Sequence, residues 1–300
     1  MVTGEVSPFT KNAGQAPQRY RADQRTRRFG RRWLLLLLVM GGSIVFVIPF
    51  FWMISTSVKS TELVYVFPPV WIPEELHWDN YALAWQRLPF LTFYRNTVFI
   101  VCCNLVGTLL SSSLVAYSFA RLRFRGRNFL FLVLLSTMML PGQVTLIPTY
   151  FIFSRLGWVN SLKPLIIPTY FGSAFNIFLL RQYFMTISPE MDDAAKIDGC
   201  SFFGIYWRIL LPLAGPALGV IAIFQFTYDW NDFFNPLIYV NSPKNFPIAL
   251  GLRMLQGTLV NVPVQQVMAM MLVSIIPVLL VFLLAQRAFI QGIVVSGVKG

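Results

Sequence analysis

The chain has 300 residues, a net charge of +12 and only 12% charged residues, with a positive mean hydropathy. Several apolar runs approach or exceed the roughly 20 residues a helix needs to cross a bilayer, which excludes an ordinary soluble domain and predicts one integral membrane domain. The sequence also lacks a phosphate-cradling G-x-x-x-x-G-K-[ST] loop, a Cys/His cluster and, with one His in the whole chain, an inner Ser/His/Asp arrangement. The chain alone therefore has no means to hydrolyse ATP or run covalent chemistry.

Residues 1–32 form a polar extension carrying Lys11 and seven Arg. Its first part reads as disordered, and its Arg cluster as lying at the membrane surface. That cluster suits anionic lipid, nucleic acid or, more simply, retention of the N-terminus in the cytoplasm. It is a poor signal peptide, because no small-residue cleavage site follows the apolar run. Span one is about 34–56, with Trp33 and Trp52 near its ends and Pro49 as a kink. Residues 59–95 are polar, rich in Pro and Trp and external, with helix around Asp79–Gln86. The lone His77 has no partner at ligand spacing, so it is a surface residue and not a metal site. Span two is about 97–119. Asn104, Thr108 and Ser111 share one of its faces, and Gly107 admits a close neighbour. Four Arg between 121 and 127 make a short basic loop. Span three, about 128–150, is broken near Pro141-Gly142 and near Pro148. Residues 151–163 form a short external amphipathic segment, and span four is about 164–183.

Residues 188–212, SPEMDDAAKIDGCSFFGIYWRILLP, are the longest polar interval of the second half. Ser188 is a suitable N-cap and Pro189 a suitable first helical residue. Glu190, Asp192 and Asp193 place negative charge in the first turn, where the helix dipole favours it. Gly199 can take the left-handed conformation that ends a helix, and Ser201 can cap a second one. The result is a compact helix–turn–helix knob between two spans. Span five, about 213–235, ends in FQFTYDWNDFFNP. Gln225, Asp229 and Asp232 fall on one face, with Tyr228, Asn231 and Asn235 beside them. Acids at the edge of a span are costly and face protein or water. They either line a translocation path or gate, or fix the span by hydrogen bonding. An external loop at 236–262 precedes span six, about 264–285. Placing both termini inside puts seventeen of the 24 Lys and Arg on inner segments and seven on outer ones, in line with the positive-inside rule. The basic charge is then an orientation device and not a nucleic-acid footprint.

Asp193-Ala194-Ala195, three residues, Gly199, nine residues, Ile209, one residue and Leu211-Pro212 resembles the coupling motif of bacterial ABC importer permeases, with Asp193 where that family most often has Glu. The Asn80-Tyr81 and Asn96-Thr97 pairs, the Trp-Asn-Asp run at the end of span five, the Ile-Ala-Leu-Gly-Leu run from Ile248 and the tail QRAFIQGIVVSGVKG are similar to the carbohydrate, maltose-type group, in its second-permease form. The likeness covers roughly 33–300 and leaves out the 1–32 extension. It implies an all-α membrane protein of six transmembrane helices, with a cytoplasmic coupling-helix loop between spans four and five. It implies no catalytic residue and no metal. Glu190, Asp193, Ala194, Ala195, Gly199, Ile209 and Pro212 would couple to a separate ATPase, and Gly297 and Lys299 of the tail would touch it. Gln225, Asp229, Asn231 and Asp232 would belong to the path. The implied partners are a second homologous permease, two ATPase subunits that hold the ATP and Mg, an extracytoplasmic solute-binding protein and the lipid of the inner membrane, with sugar or a related solute as cargo. The rival reading is an ion-coupled secondary transporter working through Asp229 and Asp232, which leaves the knob without a purpose. A membrane protein with no cargo, structural or signalling, is a third.

Overall fold

A computed structural model describes residues 18–255 and 262–297; side chains are described within 32–255 and 262–286. The chain divides into two units, Met1–Ser55 and Thr56–Gly300. Secondary structure among the described residues is helical. The first unit is dominated by α1, Gln18–Ser57, which carries Pro49 inside it without interruption. Its stretch Arg32–Ser57 is long and apolar enough to cross a membrane. The helix begins well before Trp33, so the Arg-rich segment from Arg19 is continuous in secondary structure with the apolar run that follows.

In the second unit, α2 (Thr61–Val64) and α3 (Asp79–Arg87) precede α4, one unbroken helix from Phe90 to Arg121. Two further crossings are bent. Helices α5 (Arg127–Thr137) and α6 (Gly142–Arg155) meet at 96°. The break falls at Pro141, whose ring cannot supply a helical N–H. Pro148, expected to add a second break, lies inside α6 instead. Expected span four is likewise no single helix. It consists of α7 (Lys163–Ile166), a 3₁₀ segment Ile167–Phe171, and α8 (Ala174–Thr186). Pro164, Pro168 and Gly172, the last at φ 84°, punctuate a run that hydropathy alone reads as uniform.

Beyond the knob helix α9 (Glu190–Ile197), the chain forms α10 (Phe202–Ile205), a π-helical turn Tyr206–Leu210 and α11 (Leu211–Leu213) in direct succession. The wider turn accommodates Pro212, which has no N–H for the preceding ladder. Helix α12 (Gly215–Asn231) then departs at 74°. Helices α13 (Phe234–Tyr239), α14 (Ile248–Leu255) and α15 (Val264–Gly297) complete the chain. Among the described residues three helices are thus long and apolar enough to cross a membrane, or up to five stretches if each bent pair counts as one.

Two apolar clusters hold the second unit together. One gathers Phe90, Phe93 and Ile100 of α4 with Trp230, Ile248 and Val267. The other gathers Ala116 and Tyr117 of α4 with Leu180, Phe184, Tyr206, Leu210 and Ile221. Between them, on α4 and α12, lie Asn104, Thr108, Gln225 and Asp229, so a polar layer separates two greasy ones. The paired residues singled out in the sequence are fasteners. The Asn80 amide donates to the carbonyls of Ser57 (3.1 Å) and Lys59 (2.9 Å), and Tyr81 shares a 2.9 Å hydroxyl contact with Ser57. Asn96 donates to the carbonyls of Lys244 and Phe246, and Thr97 accepts from the Ile248 amide at 2.8 Å. Gly107 is required by contact: a Cβ there would lie 2.8 Å from the Tyr170 ring and 2.9 Å from Thr169 Oγ1.

Candidate functional site

The knob begins one residue later than its sequence suggests. Pro189 occupies the cap position of α9, and Ser188 Oγ accepts from the Glu190 amide at 3.3 Å. At its other end Gly199 has φ 80°. Its amide donates to the Lys196 carbonyl (3.0 Å) and the Cys200 amide to the Ala195 carbonyl (2.9 Å), which is the pairing of a Schellman stop. A Cβ at Gly199 would meet nothing within 4 Å. Glycine is therefore favoured there by backbone conformation and not by space. Ser201 Oγ accepts from the Gly204 amide at 3.2 Å and caps the next helix as expected.

The α9 helix presents two different faces. Asp192 and Ala195, three residues apart, are buried, whereas Glu190, Asp193, Ala194 and Ile197 are exposed. The Arg121 guanidinium Nε lies 2.9 Å from Asp192 Oδ2, with both side chains about nine-tenths buried. Arg121 Nη2 also donates to the Ile187 carbonyl at 2.8 Å. Burial pushes the Asp192 carboxyl above its ordinary range, and the neighbouring Arg121 and Lys196 charges pull it back only in part. Asp193, by contrast, is held below the usual carboxylate range by the hydrogen bond from Lys196 Nζ at 2.8 Å. The second half of the knob is fixed to the same α4 helix. Ser113 and Tyr206 share a hydroxyl contact of 2.8 Å, and the Tyr117 hydroxyl donates to the Phe202 carbonyl at 2.9 Å. Ile209 is half-buried, whereas Phe202, Phe203 and Trp207 are exposed beside α9. Sequence reasoning missed the Arg121–Asp192 pair. The available signal was the three-residue spacing of Asp192 and Ala195, which puts both on one helical face.

The residues expected at the end of span five gather around a cleft of about 350 Å³. Gln225, Asp229 and Asp232 line it, with Tyr228, Asn235 and, from across the gap, Thr145 and Thr149 of α6. Asp229 is 7% exposed. Its two oxygens accept from Asn104 Nδ2 and Gln225 Nε2, each at 3.0 Å. Asn104 also donates to the Leu165 carbonyl and accepts from Thr169, and Thr108 donates to Gln225. Asp232 accepts from the amide of Asn235 and from its side chain. Asn231 does not line the cleft; its exposed side chain turns back to the Thr227 carbonyl at 2.8 Å. The break between α5 and α6 puts Gly142 on the same cleft, so the interrupted backbone faces a polar space, as such breaks require. These acids therefore line a cleft and are held by hydrogen bonds at the same time.

His77 is half-buried, 3.8 Å from Asp79, and no cluster of metal-binding side chains occurs among the described residues. Gly297 ends α15. Lys299 lies outside the described residues.

Comparison with known proteins decides the family. Residues 107–295 match the family described as binding-protein-dependent transport system inner membrane component. The chain belongs to that family. This inner membrane component is accordingly a multi-pass transport subunit and not an enzyme. It is 34% identical over 271 residues to the arabinooligosaccharides transport system permease protein AraQ of Halalkalibacterium halodurans, covering 89% of this chain and 96% of that one. It is 29% identical over 274 residues to the diacetylchitobiose uptake system permease protein NgcG of Streptomyces coelicolor, covering 90% and 89%. Among solved structures, a chain of a bacterial ABC transporter involved in the import of the acidic polysaccharide alginate superposes with a TM-score of 0.78 at 27% identity, covering 87% of this chain and 96% of that one.

Proposed function

We propose that the protein is one of two permeases of an ATP-driven sugar or oligosaccharide importer, and that residues 188–212 transmit the motion of a separate ATPase to the membrane cleft. The observation that carries this is the knob: a small helix with Asp193 and Ala194 exposed, stopped by the left-handed Gly199 and fastened through Asp192 and Ala195 to the membrane body. A peg of that kind enters a groove with its outer face while its inner face stays part of the core.

In this reading the chain crosses the membrane six times, the fourth crossing being the segmented run from Lys163 to Thr186, and residues 1–32 form a separate basic extension. Both termini and the knob lie in the cytoplasm, which the distribution of Lys and Arg supports. Glu190, Asp193 and Ala194 form the outer contact face of the helix, Ala195 anchors its inner face, Gly199 sets its angle, and Ile209 and Pro212 join it to the next crossing. Gly297 and Lys299 add a second contact. Gln225, Asp229 and Asp232 belong to the path, with Asn231 next to it. The partners are a second permease, two ATPase subunits holding ATP and Mg, and an external solute-binding protein. The oligosaccharide cargo named for the relatives supports a sugar here.

The test is uptake of a radiolabelled neutral oligosaccharide into membrane vesicles carrying the chain with the subunits encoded beside it. Uptake is expected to need ATP on the cytoplasmic face and to persist when an ionophore abolishes ion gradients. Uptake that follows the ion gradient and ignores ATP supports the ion-coupled alternative and overturns this reading.

A further inference from the structure

A second polar cleft, of about 490 Å³, lies at the opposite end of α4 from the knob. Arg95, Asn96 and Phe99 line it from the helix, with Leu162, Lys244 and Asn245 opposite. Arg95 and Lys244 are both exposed. Neither pairs with a carboxylate among the described residues, and no acid lines the cleft. Two cations thus line one recess, and an anion placed there would meet both. The recess is also held in shape. The Asn96 amide grips the Lys244 carbonyl at 2.8 Å and the Phe246 carbonyl at 3.1 Å, and Asn245 Nδ2 donates to the Asn160 carbonyl at 2.7 Å.

Depth identifies the class of anion. Helix α4 has 32 residues and is therefore about 48 Å long, against a hydrocarbon layer of about 30 Å. Centred in the bilayer, it extends roughly six residues beyond that layer at each end. Arg95, five positions after Phe90, then sits at headgroup level. Directly along the helix from it, Phe99, Val106 and Leu110 are 54%, 52% and 45% exposed, at the spacing of one helical face. A dicationic recess thus stands above an exposed apolar stripe, the arrangement that suits a phosphate with acyl chains attached.

We propose that this cleft binds the headgroup of an anionic phospholipid, with Arg95 and Lys244 on the phosphate and an acyl chain along Phe99, Val106 and Leu110. The proposal depends neither on the cargo nor on the ATPase, so it stands or falls apart from the function proposed above.

The experiment is native mass spectrometry of the full-length chain, purified in whatever assembly it forms and titrated with dioleoyl phosphatidylglycerol, dioleoyl phosphatidylcholine or inorganic phosphate. The wild type is expected to retain one phosphatidylglycerol that Arg95→Gln/Lys244→Gln holds roughly thirtyfold more weakly. Arg95→Lys/Lys244→Arg, which keeps both charges, is expected to retain it. Equal phosphatidylglycerol retention by the wild type and the Gln variant overturns the site. So does phosphatidylcholine binding as tightly as phosphatidylglycerol, or binding of inorganic phosphate alone at the same concentration. Loss of a protein subunit from the Gln variant also overturns it, since the cations would then be paired with carboxylates of a neighbour. Both substituted side chains are exposed. The unfolding temperature of each variant in lipid-free detergent is expected to match the wild type, and only the wild type and the charge-keeping variant are expected to gain stability from phosphatidylglycerol.

Discussion

Single residues decide how the knob ends and how the cleft is wired. At Gly199 the cost of a side chain is conformational, because φ is 80° and the space beyond is open. Gly199→Ala is expected to cost about 1–2 kcal/mol. Gly199→Asn is expected to cost less, since Asn tolerates the left-handed region; thermal unfolding of the purified complex measures both. A similar loss for Ala and Asn would mean that the site is limited by space after all. Ala195→Asp is a different lesion. It places a carboxylate at a position 6% exposed, inside the cluster of Tyr206 and Leu210, and is expected to prevent assembly outright. At the cleft, Asn104 donates to Asp229 at 3.0 Å. Asn104→Ala leaves a buried acceptor short of a donor, at about 1–3 kcal/mol, and lowers uptake in the vesicle assay; unchanged stability and uptake would remove Asn104 from the working site. These residue roles were only partly legible. Asn104, Gln225 and Asp229 stood out as polar groups in apolar runs, and helical spacing put Gln225 and Asp229 on one face, but the meeting of Asn104 with Asp229 across two helices was not legible. Asp192 did not stand out, because three acids crowd one turn and its shared face with Ala195 is a weak signal until Arg121 of a distant helix meets it.

At the scale of elements, α4 is the part that connects everything else. Its Arg121 binds Asp192 and the Ile187 carbonyl, its Ser113 and Tyr117 hold the second knob helix, and its Asn104 reaches Asp229. From Asn104 to Arg121 is about 25 Å of uninterrupted helix. In the proposed coupling, this unbroken helix is the element that would carry a displacement of the knob to the cleft. Arg121→Ala strands a buried carboxylate and is expected to cost about 3 kcal/mol or more. The exchange Arg121→Asp with Asp192→Arg is expected to recover part of that loss. It should also restore the ratio of solute moved to ATP hydrolysed, which a merely structural defect would leave alone. If the exchange behaves no better than either single variant, the ion pair is not the link. Elements were read well where a single rule governs them. The three long helices follow from unbroken hydropathy, and the knob follows from Ser, Pro and Gly at its turns. Expected span four was misread as one helix because Pro164, Pro168 and Gly172 sit in a run whose hydropathy hides them, and Pro148 was misread as a break although α6 carries it within an unbroken helix.

For the whole molecule, two apolar clusters are separated by the Asn104–Thr108–Gln225–Asp229 layer. Leu180→Ala, in the cluster beside the knob, is expected to cost about 2–5 kcal/mol. Its effect should concentrate there, with slowed amide exchange preserved around Phe93 and Ile248. Uniform loss of protection across both clusters would show that the polar layer does not divide them. The bends have a consequence of another kind. Helices α5 and α6 hold 11 and 14 residues, and neither alone reaches the roughly twenty that a bilayer demands. The insertion machinery must therefore take them up as one straight greasy stretch emerging from the ribosome. The corner at Pro141 is closed by local bonds, the Met139 amide donating to the Ser136 carbonyl and the Val144 amide to the Pro141 carbonyl, so the stretch needs no later helix to complete its bend.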